Sequence, residues 1–372
     1  MKLTTVSSLA DIDEHAWNAL TASGNPFIQY DFLRALEQNR CLEPWGWEPQ
    51  HIVAVEDNKL VGACPAYIKH NSYGEFVFDW AWADAYQRNG QAYYPKLVIA
   101  APFTPASGPR LLAISGPDRT FIQQRLIQAA VAAVDNDQLS TAHWLFYNSD
   151  DHTQLQRAGM LMRSDIQYHW INHHYAHFDT FLEQLSSKKR KNIRRERRKV
   201  AQADITTEII NGDDLTEQQW NTLYDFYRIT FLKKSGTATL TLDFFRAMSH
   251  RLRAIFARHH QKIVAGAICF EGKNTLYGRH WGCYQDYDSL HFEVCYYTGI
   301  DYCISNGLQR FEPGAQGEHK IARGFMPTRT FSAHWVAHEG FRNAIREHLA
   351  YEASAIDDYY QQLMLTQPYK QR

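Results

Sequence analysis

HIVAVEDNKLVGACPAYI, residues 51–68, predicts two short β-strands separated by the turn-forming residues Glu56-Asp57-Asn58. Apolar runs joined by such residues are typical of a β-hairpin. Residues 254–270, AIFARHHQKIVAGAICF, have the same shape about two hundred positions later. Within these stretches KLVGA at 59–63 is echoed by KIVAGA at 262–267, which is one residue longer. The repeat indicates a duplicated domain.

Around the hairpins, apolar periodicity predicts similar mixtures of elements. In the first half, helices are predicted near 11–20, 30–38, 118–134 and 150–158, and further strands near 94–101, 142–148 and 160–171. In the second half, helices are predicted near 178–200, 214–231, 241–251 and 289–306, and strands near 254–260, 263–271, 274–284 and 308–312. Both halves are therefore expected to be α+β. A capping box formed by Thr180 and Glu183 predicts a boundary near 173–177, giving domains 1–172 and 173–372.

The composition predicts a globular protein. Of the 372 residues, 45% are hydrophobic and 14% aromatic, which is far from disorder-prone compositions. The 39 basic and 40 acidic residues give a net charge of −1, so a protein coated in positive charge is excluded and any basic site must be local. Asp11, Asp13 and Glu14 fall where a secretory signal needs its apolar stretch, and no run reaches the roughly 18 apolar residues of a membrane span. We expect a cytoplasmic protein without an integral membrane segment.

The cysteines and a group of histidines are the residues to consider for disulfides and metals. The six cysteines form no CxxC pair, which favours reduced thiols over a disulfide framework. They are Cys41, Cys64, Cys269, Cys283, Cys295 and Cys303. His169, His173, His174 and His177 are close in sequence but span a predicted strand end and domain boundary. No metal site is predicted.

Several well-known catalytic motifs are absent. The sequence has no HExxH, no G-x-S-x-G and no G-x-G-x-x-G, so zinc peptidase, α/β-hydrolase and dinucleotide dehydrogenase have no local support. The spacing from Gly314 to Lys320 fits a nucleotide-hydrolase P-loop. His319 stands at its second glycine, however, and Ile321 at its metal-binding hydroxyl. A P-loop is therefore rejected.

The most unusual stretch is the basic run KKRKNIRRERRK at 188–199, with nine Lys or Arg and one Glu. Like charges four residues apart, as at Arg195 and Lys199, each cost roughly 0.2–0.5 kcal/mol in an isolated helix. Glu196 and Lys199 supply one compensating pair. The run is either a solvated helix face answered by acidic residues elsewhere or a site for phosphate or nucleic acid, with Arg194 and Arg195 among its ligands.

A glycine-rich segment, EPGAQGEHKIARGF at 312–325, follows the predicted strand LQRFE at 308–312. Glycine-rich backbone at a strand end can approach a phosphate closely, and a following helix N-terminus can hold it. Three glycines beside several charged side chains exceed what a turn requires. The candidate donor or phosphate ligands here are Gly314, Gly317, Lys320 and Arg323, with His319 beside them.

Two segments precede it: YGRHWGC at 277–283, a strand containing Arg279, and HFEVCYY at 291–297, which begins a helix. Glu293 sits among aromatic residues and is a candidate general base. The alternative interpretation is that this carboxylate only complements the helix dipole.

In the first half, GEFVFDWAWAD at 74–84 is followed by YYPKL at 93–97 and PFTP at 102–105. Aromatic residues interleaved with Asp79, Asp84 and Lys96 suit the wall of a pocket for a sugar, peptide or other polar substrate. Core packing is the alternative for each aromatic residue taken singly.

Together SYGEFVFDWAWADAY, YYPKL, PFTP, SSKKRKNIRRERR, YGRHWGC, HFEVCYY and FEPGAQGEHKIARGFMPT resemble a bacterial family of N-acyltransferases related to the Fem-type peptidoglycan aminoacyltransferases. The resemblance extends from Ser72 to Thr328. It implies two tandem GNAT-like domains, each a mixed, mainly antiparallel sheet flanked by helices, and no metal. The R/Q-x-x-G-x-G/A pyrophosphate loop of ordinary GNAT enzymes is missing, which puts the use of acetyl-CoA in question.

The predicted function is N-acyl transfer, in which an amine attacks an activated carbonyl held between the two domains. Glu293 or His319 is the base, and backbone N–H groups near 314–317 bind the oxyanion or a phosphate. Lys320 and Arg323 bind donor phosphates. The predicted acceptor contacts are Asp79, Trp80, Asp84, Tyr94, Lys96 and Arg279. The donor is acyl-CoA or aminoacyl-tRNA, with no other cofactor, and the acceptor is a small molecule or cell-wall precursor. The alternative is a non-catalytic module that binds tRNA or a peptidoglycan precursor.

Overall fold

The computed structural model describes residues 1–21, 24–233 and 236–370. The chain forms two compact units. Unit 1 contains Met1–Asp165 and Arg329–Asp358, and unit 2 contains Ile166–Thr328 and Tyr359–Arg372. The predicted boundary after residue 172 stays a prediction, and the sequence patterns did not indicate that residues 329–358 return to unit 1.

Unit 1 contains short strands and helices in alternation. Its helices are α1 (Glu14–Ala19), α2 (Tyr30–Gln38), α3 (Trp80–Arg88), α4 (Arg119–Asn136) and α5 (Ser149–Arg157). Its strands are β1 (Lys2–Val6), β2 (Trp47–Pro49), β3 (His51–Glu56), β4 (Lys59–Cys64), β5 (Ala66–Lys69), β6 (Lys96–Ile99), β7 (Leu112–Ala113) and β8 (Thr141–Leu145). Single 3₁₀ turns span Leu9–Asp11, Pro26–Ile28 and Glu43–Trp45.

Unit 2 begins within β9 (Leu161–Ile171). Its helices are α6 (Phe178–Gln184), α7 (Ser187–Gln202), α8 (Glu217–Lys233), α9 (Leu242–Ala247), α10 (Leu290–Phe292) and α11 (Thr298–Ser305), with a π-helical turn at Glu293–Tyr297. Its strands are β10 (Ile205–Asn211), β11 (Leu252–His259), β12 (Lys262–Glu271), β13 (Thr275–Cys283) and β14 (Arg310–Glu312). Its 3₁₀ turns span Gly212–Asp214, Ser249–Arg251 and Glu318–Arg323. β15 (Met326–Val336) and α12 (Glu339–Leu365) follow, each divided between the units.

Both units contain mixed, mainly antiparallel sheets flanked by helices, as predicted. In unit 1, β1-β3-β4-β7 form an antiparallel sheet, and β15-β8-β6-β5-β2 form a second series in which only β6 and β8 are parallel. In unit 2 the order is β10-β11-β12-β13-β14-β9, and only β13 and β14 are parallel. None of the described helices has the length and apolar character needed to cross a bilayer.

The two hairpins share a β-bulge at the same motif position, which supports the predicted duplication. Ala54 pairs with Gly62 and Val55 with Leu60, leaving Val61 as the extra residue of β4. In unit 2 the corresponding shift of register leaves Val264 as the extra residue of β12. Both valines are third in the echoed stretch, after Lys-Leu and Lys-Ile respectively. An extra residue bends and twists a strand, so the two hairpins acquire the same local distortion.

Helix α4 packs directly on the unit 1 hairpin because one strand position carries no side chain. Ile122, Leu126 and Val134 recur at helical spacing and are buried. A Cβ atom on Gly62 would lie 2.5 Å from Ile122 Cγ2, so only glycine permits this approach.

The helix predicted at 178–200 is divided into α6 and α7 by Leu185 and Ser186. Its capping box also differs from the predicted one. His177 is the N-cap, its Nδ1 accepts a hydrogen bond from the Thr180 backbone N–H at 3.3 Å, and Thr180 occupies the third helical position. Glu183 therefore does not close the box, because the helix begins three residues earlier than that pairing requires.

Candidate functional site

In unit 2, β13 and β14 form a parallel ladder of three residue pairs, from Thr275 with Arg310 to Tyr277 with Glu312. The chain then turns away from β14 into residues 313–317. A Cβ atom on Gly278 would lie 3.2 Å from Pro313 Cα, so glycine lets this loop lie against β13. The glycine-rich segment thus begins where two parallel strands separate, a position at which α/β proteins commonly bind ligands.

Arg279 follows at a bulge on the same strand. Cys269 of β12 pairs with Gly278 and Ile268 pairs with His280, which leaves Arg279 as the extra residue of β13. Burial lowers the pKa of Arg279 to about 10, against the opposing charge of Glu312. The bulge therefore places the partly buried Arg279 on the strand against which the glycine-rich loop lies.

The loop is closed by Lys320, whose Nζ donates a hydrogen bond to the Gly314 carbonyl at 2.7 Å. The side chain is only 2% exposed, and burial lowers its pKa to about 8. Gly314 has φ 93° and Gly317 has φ 114°, both in the region that favours glycine. A Cβ atom on Gly317 would lie 2.5 Å from His319 Cε1. These residues fix the path of the loop, and their predicted binding of phosphate stays a prediction.

His319 is, with Glu318, an exposed titratable side chain of this loop. Its Nε2 lies 2.8 Å from the hydroxyl of Tyr296, which is also 3.3 Å from Nε2 of His291. Partial burial and the charges of Arg323 and Lys320 lower the pKa of His319 below its ordinary value. The imidazole is therefore neutral at pH 7 and able to accept a proton.

Glu293 begins the π-helical turn and is 5% exposed. Burial raises its pKa, and the neighbouring Arg197 opposes that rise. Arg197 lies 3.0 Å from Oε1, and its Nε donates to the two carboxylate oxygens at 3.1 and 3.3 Å. Both oxygens are thus engaged by one guanidinium, which leaves Glu293 less available as a base than His319.

Arg323 is tied to the basic helix. It binds Glu196 with two hydrogen bonds, of 2.8 and 3.2 Å, and lies 3.3 Å from the ring centre of Phe292. Glu196 also accepts a hydrogen bond from the Tyr297 hydroxyl. The pairing of Glu196 with Lys199 suggested by the sequence is not formed, because Lys199 binds Asp288 at 2.6 Å.

The basic helix α7 docks through Ile193 and Val200, as its apolar spacing requires. Arg194 pairs with Asp179 at 2.9 Å, in addition to the pairs of Arg197 and Lys199. The remaining cations form no ion pair within the described part of the chain; they are Lys188, Lys189, Arg190, Lys191, Arg195 and Arg198.

Four of these cations, Lys188, Lys191, Arg195 and Arg198, recur at helical spacing opposite the buried residues of α7. We call these four the basic stripe. At 1.5 Å per residue it is about 15 Å long. Three cations of the run thus form ion pairs with acids and six form none within the described residues, and a site for phosphate or nucleic acid on this run stays a prediction.

Unit 1 brings together several of the predicted acceptor residues in a buried network. Lys96 is 0% exposed and donates to Glu75 Oε2 at 2.8 Å, to Ser72 Oγ at 2.9 Å and to Asp79. Burial alone would lower the pKa of Lys96, but the charges of Glu75 and Asp79 outweigh it and raise the pKa. Tyr94 joins through a 2.8 Å contact between its hydroxyl and Ser72 Oγ.

The predicted acceptor set is divided by exposure. Asp79 and Lys96 are enclosed, whereas Trp80 and Asp84 lie on the exposed side of α3. The ring of Trp80 is 44% exposed and lies 5.6 Å from that of Tyr73. Arg279 belongs to unit 2, so the set does not form one cluster within a single unit.

One family model matches residues 8–371, which is nearly the whole chain. It is FemAB_like, described as peptidoglycan biosynthesis/recognition. The chain belongs to the FemAB-like family. This agrees with the predicted resemblance, which was carried by motifs of both units.

Solved structures with this FemAB-like fold include three that align over most of the chain. One is the C-terminal domain of a putative lysylphosphatidylglycerol synthetase from Agrobacterium fabrum, with a TM-score of 0.54 and 9% identity. The alignment covers 92% of this chain and 97% of that chain. FemX has TM-score 0.54, 9% identity, and coverage of 93% and 100%. L-PGS from Bacillus licheniformis has TM-score 0.54, 11% identity, and coverage of 90% and 95%. At these identities the likeness concerns the fold alone. No curated protein matches the sequence.

Sequence reasoning missed part of the unit 1 network in this FemAB-like chain. Glu75 and Ser72 lie inside the motif that was singled out, but a polar residue among aromatics gives no sign of which side chain turns inward. His143 and His334 are 191 positions apart, and only the fold brings them together. Among the described residues, no three His, Cys, Asp or Glu side chains are grouped so as to hold a metal ion.

Proposed function

We propose that this FemAB-like protein transfers an acyl or aminoacyl group from a thioester or aminoacyl-tRNA donor to an amine, with a peptidoglycan precursor as the acceptor class. The family description supports the acceptor class, and the names of the structural relatives, FemX and a lysylphosphatidylglycerol synthetase, agree with aminoacyl transfer. The observation that carries the proposal is His319, an exposed and neutral imidazole on a glycine-rich loop where two parallel strands separate.

The chemistry requires a base and a partner for the oxyanion. An amine at physiological pH is protonated and must lose a proton before it attacks the carbonyl carbon. His319 accepts this proton, and its contact with the Tyr296 hydroxyl orients the ring. Backbone N–H groups of 314–317 are the oxyanion donors in this proposal. Gly314 and Gly317 give the loop a backbone conformation with positive φ, which other residues adopt only with strain.

Lys320 and Arg323 then stabilise the loop and do not bind the donor, because Lys320 donates to the Gly314 carbonyl and Arg323 donates to Glu196. Phosphates of the donor are contacted by the basic stripe of α7 and by Arg194, an assignment that keeps the predicted role of Arg194 and Arg195. Glu293 holds α7 through Arg197 and does not act as the base.

The test compares His319→Ala with Glu293→Gln in an assay offering acyl-CoA and aminoacyl-tRNA donors to a UDP-linked muropeptide. We expect His319→Ala to lower turnover by about 10²- to 10⁴-fold with little change in thermal stability, because a general base contributes that much. His15→Ala, which removes an exposed histidine of unit 1, is the matched control. A large loss in Glu293→Gln with normal turnover in His319→Ala would make Glu293 the base.

A second candidate function is non-catalytic binding of tRNA or a peptidoglycan precursor. The six unpaired cations of α7 favour it, since a binding module needs a phosphate contact but no base. If the protein binds tRNA or the muropeptide while no donor and acceptor pair yields product, this second function is the correct one.

A further inference from the structure

Unit 1 contains a continuous chain of hydrogen bonds that the transfer reaction in unit 2 does not use. Tyr93 donates its hydroxyl proton to Asp79 Oδ2 at 2.6 Å, and the same hydroxyl oxygen lies 3.2 Å from Nε2 of His143. The Nδ1 atoms of His143 and His334 are 2.5 Å apart. Nε2 of His334 lies 2.9 Å from Oγ of Ser332. All five side chains are buried.

The carboxylate at one end sets the direction of the first hydrogen bond in this chain. Nearby Lys96, Ser72 and Tyr93 keep the pKa of Asp79 low despite its burial, so the carboxylate is ionised and accepts a hydrogen bond from the Tyr93 hydroxyl. The Tyr93 oxygen then has no hydrogen directed at His143 Nε2, and Thr141 Oγ1 lies 2.7 Å from the same nitrogen. With the Thr141 hydroxyl turned to Ser140 Oγ, 3.3 Å away, an N–H at Nε2 donates to both oxygens.

The two imidazoles continue the same order. Burial lowers the pKa of both His143 and His334, so each ring is neutral and carries one proton. With its proton on Nε2, His143 accepts at Nδ1 from the Nδ1–H of His334. Nε2 of His334 is therefore unprotonated and accepts from the Ser332 hydroxyl. In a Ser-His-Asp triad a buried carboxylate bonded to the imidazole holds it in the tautomer that accepts the serine proton, and here Asp79 acts on His334 through Tyr93 and His143.

Ser332 lines a small cavity of about 40 Å³. Phe76, Phe78 and Phe331 contribute apolar walls, and Ser164 lines the same cavity. One water needs roughly 10–15 Å³ of such volume, so the space suits a group of about three heavy atoms, such as acetyl. Phe76 and Phe78 are 41% and 55% exposed, so two side chains that line the cavity also reach the surface.

We propose that Ser332 is a nucleophile that accepts a small acyl group from an activated ester or thioester. Ser332 Oγ forms a bond to the carbonyl carbon while its proton passes to Nε2 of His334. The bond from that carbon to the leaving oxygen or sulfur breaks, and the leaving group takes the proton from His334 or departs as an anion. The products are acyl-Ser332 and the free alcohol or thiol, and water or an amine then releases the acyl group. This site does not depend on the function proposed for unit 2.

In the test, the full chain is incubated with p-nitrophenyl acetate and the release of p-nitrophenolate is followed. Mass spectrometry of the intact protein and of its peptides then locates any acetyl group. We expect a burst of one equivalent and one acetyl group on Ser332 that hydroxylamine removes, as an ester requires. Ser332→Ala should abolish the burst, and His334→Gln should slow it by about 10²-fold or more. Ser164→Ala is the matched control, because Ser164 lines the same cavity but forms no hydrogen bond to a histidine among the described residues.

Two further results decide the matter. Phe78→Ala opens the cavity wall and should accelerate acetylation of Ser332 without moving the label. Acetylation confined to lysines, or an ester at Ser332 that forms equally fast in His334→Gln, would overturn the proposal. Circular dichroism and thermal unfolding of each variant separate loss of reaction from loss of fold.

Discussion

Two buried lysine side chains, Lys96 in unit 1 and Lys320 in unit 2, differ in their partners. Lys69 of unit 1 is also buried, and burial lowers its pKa to about 7. Lys96 meets two carboxylates, and its pKa is raised above the ordinary value. Lys320 meets one backbone carbonyl among the described residues, and burial lowers its pKa to about 8. The partner therefore decides the charge: two carboxylates keep Lys96 protonated despite its burial, whereas Lys320, beside a neutral carbonyl, loses its proton more easily.

The largest effect should come from removing the charge of each lysine. Lys96→Met leaves Asp79 and Glu75 buried without their cation, so we expect a loss of about 3–5 kcal/mol in the free energy of unfolding. Lys320→Met removes a poorly solvated ammonium and one hydrogen bond, and should change stability by no more than about 1 kcal/mol. Urea titrations of both variants at pH 7 measure the contrast, and equal losses would contradict it.

A second, smaller effect should appear in the pH dependence of unfolding. Because the pKa of Lys320 falls from 10.5 to about 8 on folding, the unfolded chain binds more protons between these values. The stability that neutral Lys320 contributes is therefore present above pH 10.5 and lost as the pH falls through about 8. Wild type should gain stability relative to Lys320→Met as the pH rises from 8 to 10. Parallel curves for the two proteins would show that Lys320 is not desolvated as described.

The smallest effect on stability is expected on the exposed basic stripe, where cations keep their hydration. Lys191→Gln, Arg195→Gln and Arg198→Gln together should leave the unfolding midpoint almost unchanged. Binding of bulk tRNA should weaken, and the slope of log affinity against log salt should fall by about 2–3 for three lost phosphate contacts. The matched control replaces Arg40, Arg125 and Arg157, three exposed arginines of unit 1, by Gln. The same salt slope in both triple variants would exclude the stripe as the contact.

The duplicated hairpins could be predicted from sequence because their signal is local. The apolar run and the extra valine lie within Lys59–Ala63 and Lys262–Ala267, directly after the turn of each hairpin. The FemAB-like family was also predictable, since its motifs are contiguous stretches.

The partners of charged side chains could not be predicted in this way. Glu196 was assigned to Lys199 by helical spacing, but Arg323 arrives from 127 positions away and binds it with two hydrogen bonds. The candidate base shows the same limit. Nothing in the sequence distinguishes Glu293 from His319, because the guanidinium that occupies Glu293 comes from α7. Local spacing sets which groups are available, and the tertiary fold decides which pair forms.

The return of residues 329–358 to unit 1 has a practical consequence for dissecting the protein. β15 supplies Ser332 and His334 and pairs with β8, which lies nearly two hundred positions earlier. A single cut anywhere in the chain therefore cannot release the two units as intact pieces. During synthesis, β8 leaves the ribosome long before its partner strand exists, so an edge of unit 1 stays open until residues 326–336 have been made.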